Sequence, residues 1–261
     1  MAIELRCGAA APVAFLPIPP GPFTMGEGPT ARRVVLTAPA ALGRTAVTVG
    51  QFAAFVAATG HRTTAEATGT ATVFDKAVGA WVERPGFTWR APGFAQGDDH
   101  PVTVVSWFDA VAFCRWLGSV HGRTVRLPTE AERECATRAG TATAWSFGDD
   151  PADLPAHAWY DATTGAGTPA GGTRPVATLR ANPWGFHDLH GNVIEWCGDW
   201  HAADLAALPD TDPQGPAAGD QRVLRGGCWD FAPGFGRSAN RGHLPPAHRF
   251  GFFGFRAALA P

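Results

Sequence analysis

Three segments of the chain repeat apolar residues with a helical period, and each begins with the side chains of a capping box. In such a box a Ser or Thr caps the first amides, and an acidic or amide side chain three residues later caps back. A glycine follows each segment and can take the left-handed conformation of a helix end. The pattern therefore predicts three helices, with these boxes and closing glycines: Thr48 with Gln51 and Gly60, Ser106 with Asp109 and Gly118, and Thr129 with Glu132 and Gly140.

Short strands and long loops are predicted for the rest of the chain. Runs of β-branched and aliphatic residues predict strands at 34–36, 102–105, 222–225 and 252–258. The stretches 149–183 and 199–220 have the composition of loops. Neither an internal repeat nor a linker interrupts the pattern, so we expect one α+β domain over residues 1–261.

Composition narrows the class of protein. The 261 residues include ten Trp and 17 Phe, which is too much aromatic surface for a disordered chain. They also include 32 Gly and 23 Pro, which interrupt the chain too often for the long helices of a bundle.

Charge, hydropathy and cysteine use narrow the partners and the compartment. The formal net charge is −2, and no run of five like charges occurs, so we expect neither a nucleic-acid partner nor a membrane surface. The chain has no run of eighteen apolar residues and no pattern of a signal peptide. Its five cysteines form no C-x-x-C pair, and we expect free thiols in the cytoplasm.

Ordered motifs along nearly the whole chain resemble the formylglycine-generating-enzyme, or sulfatase-modifying factor, family. The resemblance implies that family's variant of the C-type lectin-like fold, with a small irregular sheet, few helices and much loop. The motifs are Phe23-Thr24-Met25-Gly26, 47–52, 99–102, Val105-Ser106-Trp107, Arg126-Leu127-Pro128-Thr129-Glu130-Ala131-Glu132, Gly191-Asn192-Val193-Ile194-Glu195-Trp196, Leu224-Arg225-Gly226-Gly227 and Gly254-Phe255-Arg256.

The first function that the resemblance implies is the family's oxidase chemistry. Its enzymes bind copper through two cysteines, three and eight residues beyond the serine of an Arg-Gly-Gly-Ser motif. In this sequence Cys228 stands at the serine position, and Phe231 and Gly236 stand at the copper positions. Neither residue can ligate a soft metal ion. We therefore expect no copper and no oxidation of cysteine to formylglycine. A branch that forms sulfur–carbon bonds with iron needs an H-x-x-x-H-x-E helix, which this sequence lacks.

A structural calcium ion is the cofactor that the resemblance implies. The corresponding residues are Asp188, Gly191, Val193 and Glu195. Two carboxylates and two backbone carbonyls from one tight loop offer the hard oxygen ligands that calcium prefers. The alternative is that Asp188 and Glu195 cap turns or pair with arginines.

Other residues with possible chemistry each have a simpler structural explanation. His187 and His190 form an H-x-x-H pattern that could hold a metal with His201 or Asp199, but hydrogen-bonded turn histidines are the simpler interpretation. Cys228 could be a lone nucleophile or an inert buried thiol.

The acidic cluster at the start of the third predicted helix resembles a set of catalytic carboxylates. It comprises Glu130, Glu132 and Glu134, whose spacing instead favours a helix cap and an arginine-paired face. Family members usually have Trp where this chain has Arg133.

The C-terminal segment 225–256 faces the ligand in the family's fold. We predict that Arg225, Arg237 and Arg241 fix its loops. The predicted ligand-binding residues are Cys228, Trp229, Asp230, Phe231, Phe235, Arg237, Asn240, Arg241, His243, Leu244, His248, Phe250 and Phe252. The layout also resembles the variable proteins of diversity-generating retroelements, in which surface positions vary on a constant scaffold.

Two functions from different classes follow. The leading hypothesis is a non-catalytic module that binds a protein or small-molecule ligand at the C-terminal segment. The alternative is a metal-dependent oxidase or oxygenase with a remodelled site. The metal ligands available to it would be His187, His190, His201, His243, His248 and Cys228.

Overall fold

The computed structural model describes residues 2–75, 78–168 and 170–260, without the side chains of Phe74 and Asp75. Its α-helices are α1 Val49–Thr59, α2 Thr64–Thr68, α3 Trp107–His121, α4 Glu130–Arg138 and α5 Asp161–Thr164. Its strands are β1 Ile3–Cys7, β2 Ala10–Ile18, β3 Gly21–Met25, β4 Arg32–Leu36, β5 Ala40–Gly43, β6 Thr70–Asp75, β7 Ala80–Pro85, β8 Val125–Arg126, β9 Ile194–Trp200, β10 Arg222–Arg225, β11 Arg241–Leu244, β12 Phe253–Phe255 and β13 Ala258–Leu259.

The three predicted helices are α1, α3 and α4, and each begins with the predicted capping box. Helix α1 ends at Gly60 as predicted. The predicted end of α3 at Gly118 is wrong, since the helix runs to His121 and is capped by Gly122. A Cβ on Gly118 would lie 2.5 Å from the carbonyl oxygen of Arg123. This glycine therefore permits close packing of the returning chain.

Two further helix ends differ from the sequence pattern. Helix α4 ends at Ala139, which takes the left-handed conformation one residue before Gly140. Helix α2 has a capping box of its own, formed by Thr63 and Glu66, which the sequence analysis missed.

The predicted strands have mixed outcomes. Residues 34–36 lie in β4, and 222–225 form β10. The strand predicted at 252–258 is two strands, β12 and β13, which belong to different sheets. The strand predicted at 102–105 is wrong. Val104 has a φ of 57° and donates to the carbonyl of Phe250, whereas Val102 donates to Val47. Single bonds to separate segments hold this stretch in place of a ladder.

The two predicted loop stretches are largely irregular. The first contains the 3-10 turn Pro151–Ala156 and the short helix α5. The second begins with the last residues of β9 and contains the 3-10 turn Leu205–Ala207.

Small sheets organise the described chain, which confirms the α+β class. Among the described residues, one sheet has the order β1-β2-β5-β13-β8 and a second has the order β11-β10-β9-β12. The hairpins β3–β4 and β6–β7 form separate two-stranded sheets. Within the second sheet, β12 pairs with β9 in parallel and β10 pairs with both neighbours antiparallel. This second sheet carries the C-terminal segment.

The main core lies between helices α1 and α3 and the two larger sheets. Phe52, Phe113 and Phe255 are fully buried, and their rings pack within 5.4–6.3 Å of one another. Within the described ranges, no helix is both long and apolar enough to cross a membrane.

Candidate functional site

An apolar cavity of about 310 Å³ lies between the C-terminal segment and the β6–β7 hairpin. Strands β9, β10 and β12 supply its floor through Ile194, Leu224 and Phe253. Eight of the predicted ligand-binding residues line it: Phe231, Phe235, Asn240, Arg241, His243, Leu244, Phe250 and Phe252.

Aromatic rings form the wall of this cavity. The ring of Phe231 lies 5.0 Å from those of Phe235 and Phe252. Trp81 of β7 packs against Phe250 and Phe252 at 5.0 and 5.4 Å. Phe250 and Phe252 are buried, but Trp81 and Phe235 are 45% and 50% exposed. The rings of Trp81 and Phe235 are therefore partly exposed to solvent beside rings that are already buried. Exposed aromatic surface at a cavity is typical of a binding site.

Local backbone interactions place the two phenylalanines of the 228–236 loop on the cavity. Pro233–Gly236 form a 3-10 turn that carries Phe235. The side-chain amide of Asn240 donates to the carbonyl of Phe235 at 2.9 Å. Arg225 is fully buried and donates to the carbonyls of Ser238, Ala239 and Asn240. The predicted role of Arg225 as a loop anchor agrees with these contacts.

The polar rim of the cavity is largely paired within the protein. Arg241 donates through Nε and Nη2 to the carboxylate of Glu130, at 2.5 and 2.9 Å. The imidazole of His243 stacks on that of His201 with ring centroids 3.8 Å apart. Burial, together with the neighbouring His243 and Arg241, lowers the pKa of His201. The imidazole of His201 is therefore mostly neutral near pH 7.

A second cavity, of about 520 Å³, adjoins the first. Trp229 and Asp230 line it, and Trp81 and Phe252 line both cavities. The indole of Trp229 donates to the carbonyl of Gly251 at 3.1 Å, which fixes its ring. The Trp81–Phe252 pair is thus a shared wall between the two spaces.

Three predicted ligand-binding residues line neither cavity. Cys228 is buried in the core, and burial raises the pKa of its thiol, which favours the inert-thiol interpretation. Arg237 points away and pairs with Glu27 at 2.6 Å. His248 lies beside the ring of Phe250, outside the lining.

Trp81 is the main residue that the sequence analysis missed. It lies on the β6–β7 hairpin, which pairs Thr70–Asp75 with Ala80–Pro85. The signal was present in the β-branched and aromatic residues of 70–74 and 81–82, which favour strands. Nothing local indicates that the hairpin folds over the distant C-terminal segment.

The H-x-x-H histidines do not converge on a common point. His190 is fully buried, with Nδ1 2.8 Å from the carbonyl of Gly236 and Nε2 2.8 Å from the hydroxyl of Ser146. Burial lowers its pKa to about 4. His187 contacts the carbonyl of Leu179 and the guanidinium of Arg44. Among the described residues, no group of three or more His, Cys, Asp or Glu could hold a metal ion.

The expected calcium ligands are engaged by the protein. Both oxygens of buried Glu195 accept from guanidiniums, those of Arg133 and Arg256. Burial alone would raise the pKa of Glu195, but these charges hold it below its usual value. Asp188 accepts from the amide of Ala177, and its Oδ1 has no hydrogen-bond partner in the described part of the chain. Burial raises the pKa of Asp188 to about 6.

This arrangement bears on whether the residues fit a calcium ion. Of the two carboxylates only Asp188 retains an unengaged oxygen, and the carbonyl of Gly191 accepts from the amide of Val193 at 2.9 Å. The donor set does not fit a calcium ion as arranged, and the arginine-paired alternative describes Glu195. Calcium at this loop stays a prediction.

The acidic cluster of α4 is a helix cap and an arginine-paired face, as its spacing favours. Glu132 completes the capping box and pairs with Arg126. Glu134 accepts from the backbone amide of Gly26 at 2.8 Å and pairs with Arg138 and Arg225. With their charges compensated in this way, these groups support the fold.

Residues 9–261 match the family model of the sulfatase-modifying factor enzyme 1-like domain. The chain belongs to this family. The formylglycine-generating enzyme of Streptomyces coelicolor is 37% identical over an alignment of 280 positions. The alignment covers 92% of this chain and 87% of that protein. The structure of PvdO from Pseudomonas aeruginosa has a TM-score of 0.80 at 27% identity and covers 99% of this chain and 98% of that one. Treponema denticola variable protein 1 has a TM-score of 0.79 at 25% identity and covers 100% and 99%.

These similarities confirm the family and the C-type lectin-like fold that the motifs implied. The similar proteins include both an enzyme and a variable protein, so the function must be inferred from the site.

This member departs from the family's copper chemistry at both expected positions. The ring of Phe231 faces the cavity and offers no donor atom. Gly236 has no space for a side chain, because a Cβ there would lie 2.2 Å from the carbonyl oxygen of His190. The residues present therefore do not fit a two-thiolate copper site.

Proposed function

We propose that this chain is a non-catalytic binding module whose C-terminal cavity takes an aromatic or apolar group of a protein or small-molecule ligand. The observation that carries the proposal is the cavity of about 310 Å³ that Phe231, Phe235, Phe252 and Trp81 line. One of these residues, Phe231, stands at the first of the two positions where the family's oxidase chemistry would need a thiolate.

The chemistry of the lining favours recognition by burial. Burying apolar surface stabilises a complex by about 25 cal/mol per Å², and aromatic anchors in pockets commonly dominate interface energies. Among the described lining residues, the one arginine is Arg241, whose guanidinium already pairs with Glu130. An apolar group that displaces water from the rings of Trp81 and Phe235 gains most from this surface.

The construction of the C-terminal segment supports a surface that tolerates variation. Arg225 holds three consecutive loop carbonyls from below, while Phe235 and His243 stand exposed above them. Similarity to Treponema denticola variable protein 1 supports the same idea. The proposal of a diversified segment predicts a nearly identical template repeat close to the gene. A genomic neighbourhood without one would refute diversification while leaving ligand binding open.

The binding proposal is tested with an aromatic anion as probe. Anilinonaphthalene sulfonate should bind the folded chain at the cavity, with an increase in fluorescence. The double variant Phe231→Asp, Phe235→Asp should lose this signal and any partner recovered by pull-down, while its thermal unfolding stays cooperative. The matched control is Phe108→Asp, because Phe108 is 51% exposed and does not line the cavity. Equal probe binding by the double variant and wild type would refute the assignment.

An enzyme is the second candidate, and one observation favours it, namely the identity of 37% to a formylglycine-generating enzyme. Elemental analysis of the purified chain separates the two functions. Stoichiometric copper or iron, with oxygen uptake in the presence of a thiol peptide, would favour the enzyme. Absence of both would favour the binding module.

The cytoplasm is our expected compartment. All five cysteines lie in the described ranges and are free and buried. Free thiols persist in a reducing environment, which supports this expectation.

A further inference from the structure

A buried arginine enters the loop where the resemblance implies a calcium ion. Arg133 projects from α4, and its side chain is 1% exposed. Its Nε lies 2.6 Å from Oε2 of Glu195, which is fully buried, and its Nη2 donates to the carbonyl of Leu189 at 3.1 Å. A cation of the protein itself therefore lies against the loop's carboxylate and one of its backbone carbonyls.

The position of Gly226 shows how closely these groups converge. A Cβ on Gly226 would lie 3.1 Å from Nη2 of Arg133, 3.2 Å from the carbonyl oxygen of Leu189 and 3.8 Å from that of Val193. The guanidinium and two carbonyl oxygens of the 188–195 loop therefore meet beside one point. Carbonyl oxygens gathered around a positive charge are the environment that a hard cation would otherwise need.

Arg256 is the second guanidinium that contacts Glu195. It donates to Glu195 at 2.9 Å, to the carbonyl of Gly43 at 2.7 Å and to that of His187 at 2.8 Å. Two guanidiniums thus contact Glu195, and the charge of Arg256 also acts on Asp188. A divalent ion would add two further positive charges in a region shielded from water, where charges of like sign repel strongly.

We propose that the guanidinium of Arg133 takes the structural place of a divalent cation in the 188–195 loop. The fold of this chain is then stable without calcium, because α4 delivers the cation covalently. The same contact ties α4 to β9, whose sheet carries the C-terminal segment.

The first test measures the wild-type chain. Its melting temperature should be the same in excess chelator and in millimolar calcium, and calorimetric titration of the chelator-treated chain should show no binding. One calcium ion retained per chain, or a rise in melting temperature with calcium, would overturn the proposal.

The second test removes the internal cation. Arg133→Met keeps the length of the side chain but leaves Glu195 with Arg256 alone. Its melting temperature should fall, and calcium should restore part of the loss. Terbium, used as a luminescent substitute for calcium, should bind the variant and not the wild type, with adjacent Trp196 as the energy donor.

Arg138→Met is the matched control. Arg138 is a buried arginine of the same helix that pairs with Glu134, away from the loop. The Arg138→Met variant should have a lower melting temperature than the wild type, and calcium should not change that temperature. An Arg133→Met variant that responds to calcium no more than Arg138→Met would overturn the proposal. If Arg133→Met does not fold, Arg133→Lys, which keeps the charge, should fold and stay independent of calcium, and calcium dependence in that variant would contradict the inference.

Discussion

Gly236 offers a sharp test of why this chain cannot carry the second thiolate of its relatives' copper site. A Cβ at this position would lie 2.2 Å from the carbonyl oxygen of His190, whereas ordinary contacts begin at 3.4 Å. The Nδ1 of His190 in turn lies 2.8 Å from the carbonyl of Gly236. A side chain at 236 must therefore separate two segments that hold a fully buried imidazole between them.

The cost of Gly236→Ala can be worked from these contacts. Overpacking costs about 1–3 kcal/mol, and a weakened hydrogen bond to a buried polar group costs about 1–3 kcal/mol. We expect a total of about 2–6 kcal/mol and a fall in melting temperature of roughly 4–24 °C for a domain of this size. Urea unfolding and calorimetry measure both quantities.

Gly234→Ala is the matched control in the same 3-10 turn, since a Cβ there meets nothing within 4 Å. It should be neutral, or more stable by up to about 1 kcal/mol through a less flexible unfolded chain. Gly236→Ala with wild-type stability would refute the reasoning. Phe231→Cys, Gly236→Cys should accordingly fail to bind Cu(I) stoichiometrically, and a folded copper-binding double variant would show that the backbone can yield.

Three further predictions concern single groups. Burial, with the charges of Glu130 and Glu132, raises the pKa of Asp199 from 3.8 to about 7, so the folded chain keeps a proton that the unfolded chain loses across this window. Stability from this group therefore falls as pH rises from about 4 to 7, and urea midpoints of Asp199→Asn should improve relative to wild type over that range. Trp81→Ala should weaken anilinonaphthalene sulfonate binding about tenfold, with only a moderate fall in melting temperature because the ring is 45% exposed, and unchanged affinity would remove Trp81 from the site. Iodoacetamide should label no cysteine of the native chain and all five in urea, since every thiol is buried and burial raises the pKa of Cys7 to about 11; mass spectrometry that finds native labelling would contradict this.

The accuracy of the sequence predictions depended on whether the controlling contact was local. The capping boxes of α1, α3 and α4 link residues three apart, so the sequence located these helix starts correctly. The end of α3 was predicted wrongly because Gly118 does not end the helix. A glycine is needed there because the carbonyl of Arg123 packs too closely for a side chain. The strand at 102–105 failed for a similar reason, since tertiary hydrogen bonds hold Val104 at positive φ.

The candidate site was predictable in part. Eight predicted residues line the cavity, because residues close together in the 231–252 region share one surface. The misplaced ones, Cys228, Arg237 and His248, are close in sequence but turn toward the core, Glu27 and Phe250. Backbone turns within the loop set these directions, and residue type alone does not report them.

The sequence by itself determined the family, the starts of α1, α3 and α4 and the loss of both copper thiolates, because each depends on residue identity at fixed spacing. The tertiary structure alone decided which distant residues meet. Trp81 meets Phe250 and Phe252 across the fold, and Arg133 meets Glu195 over 62 positions of sequence. Such contacts arise when burial of apolar surface brings distant segments together, and buried charges must then find partners within reach.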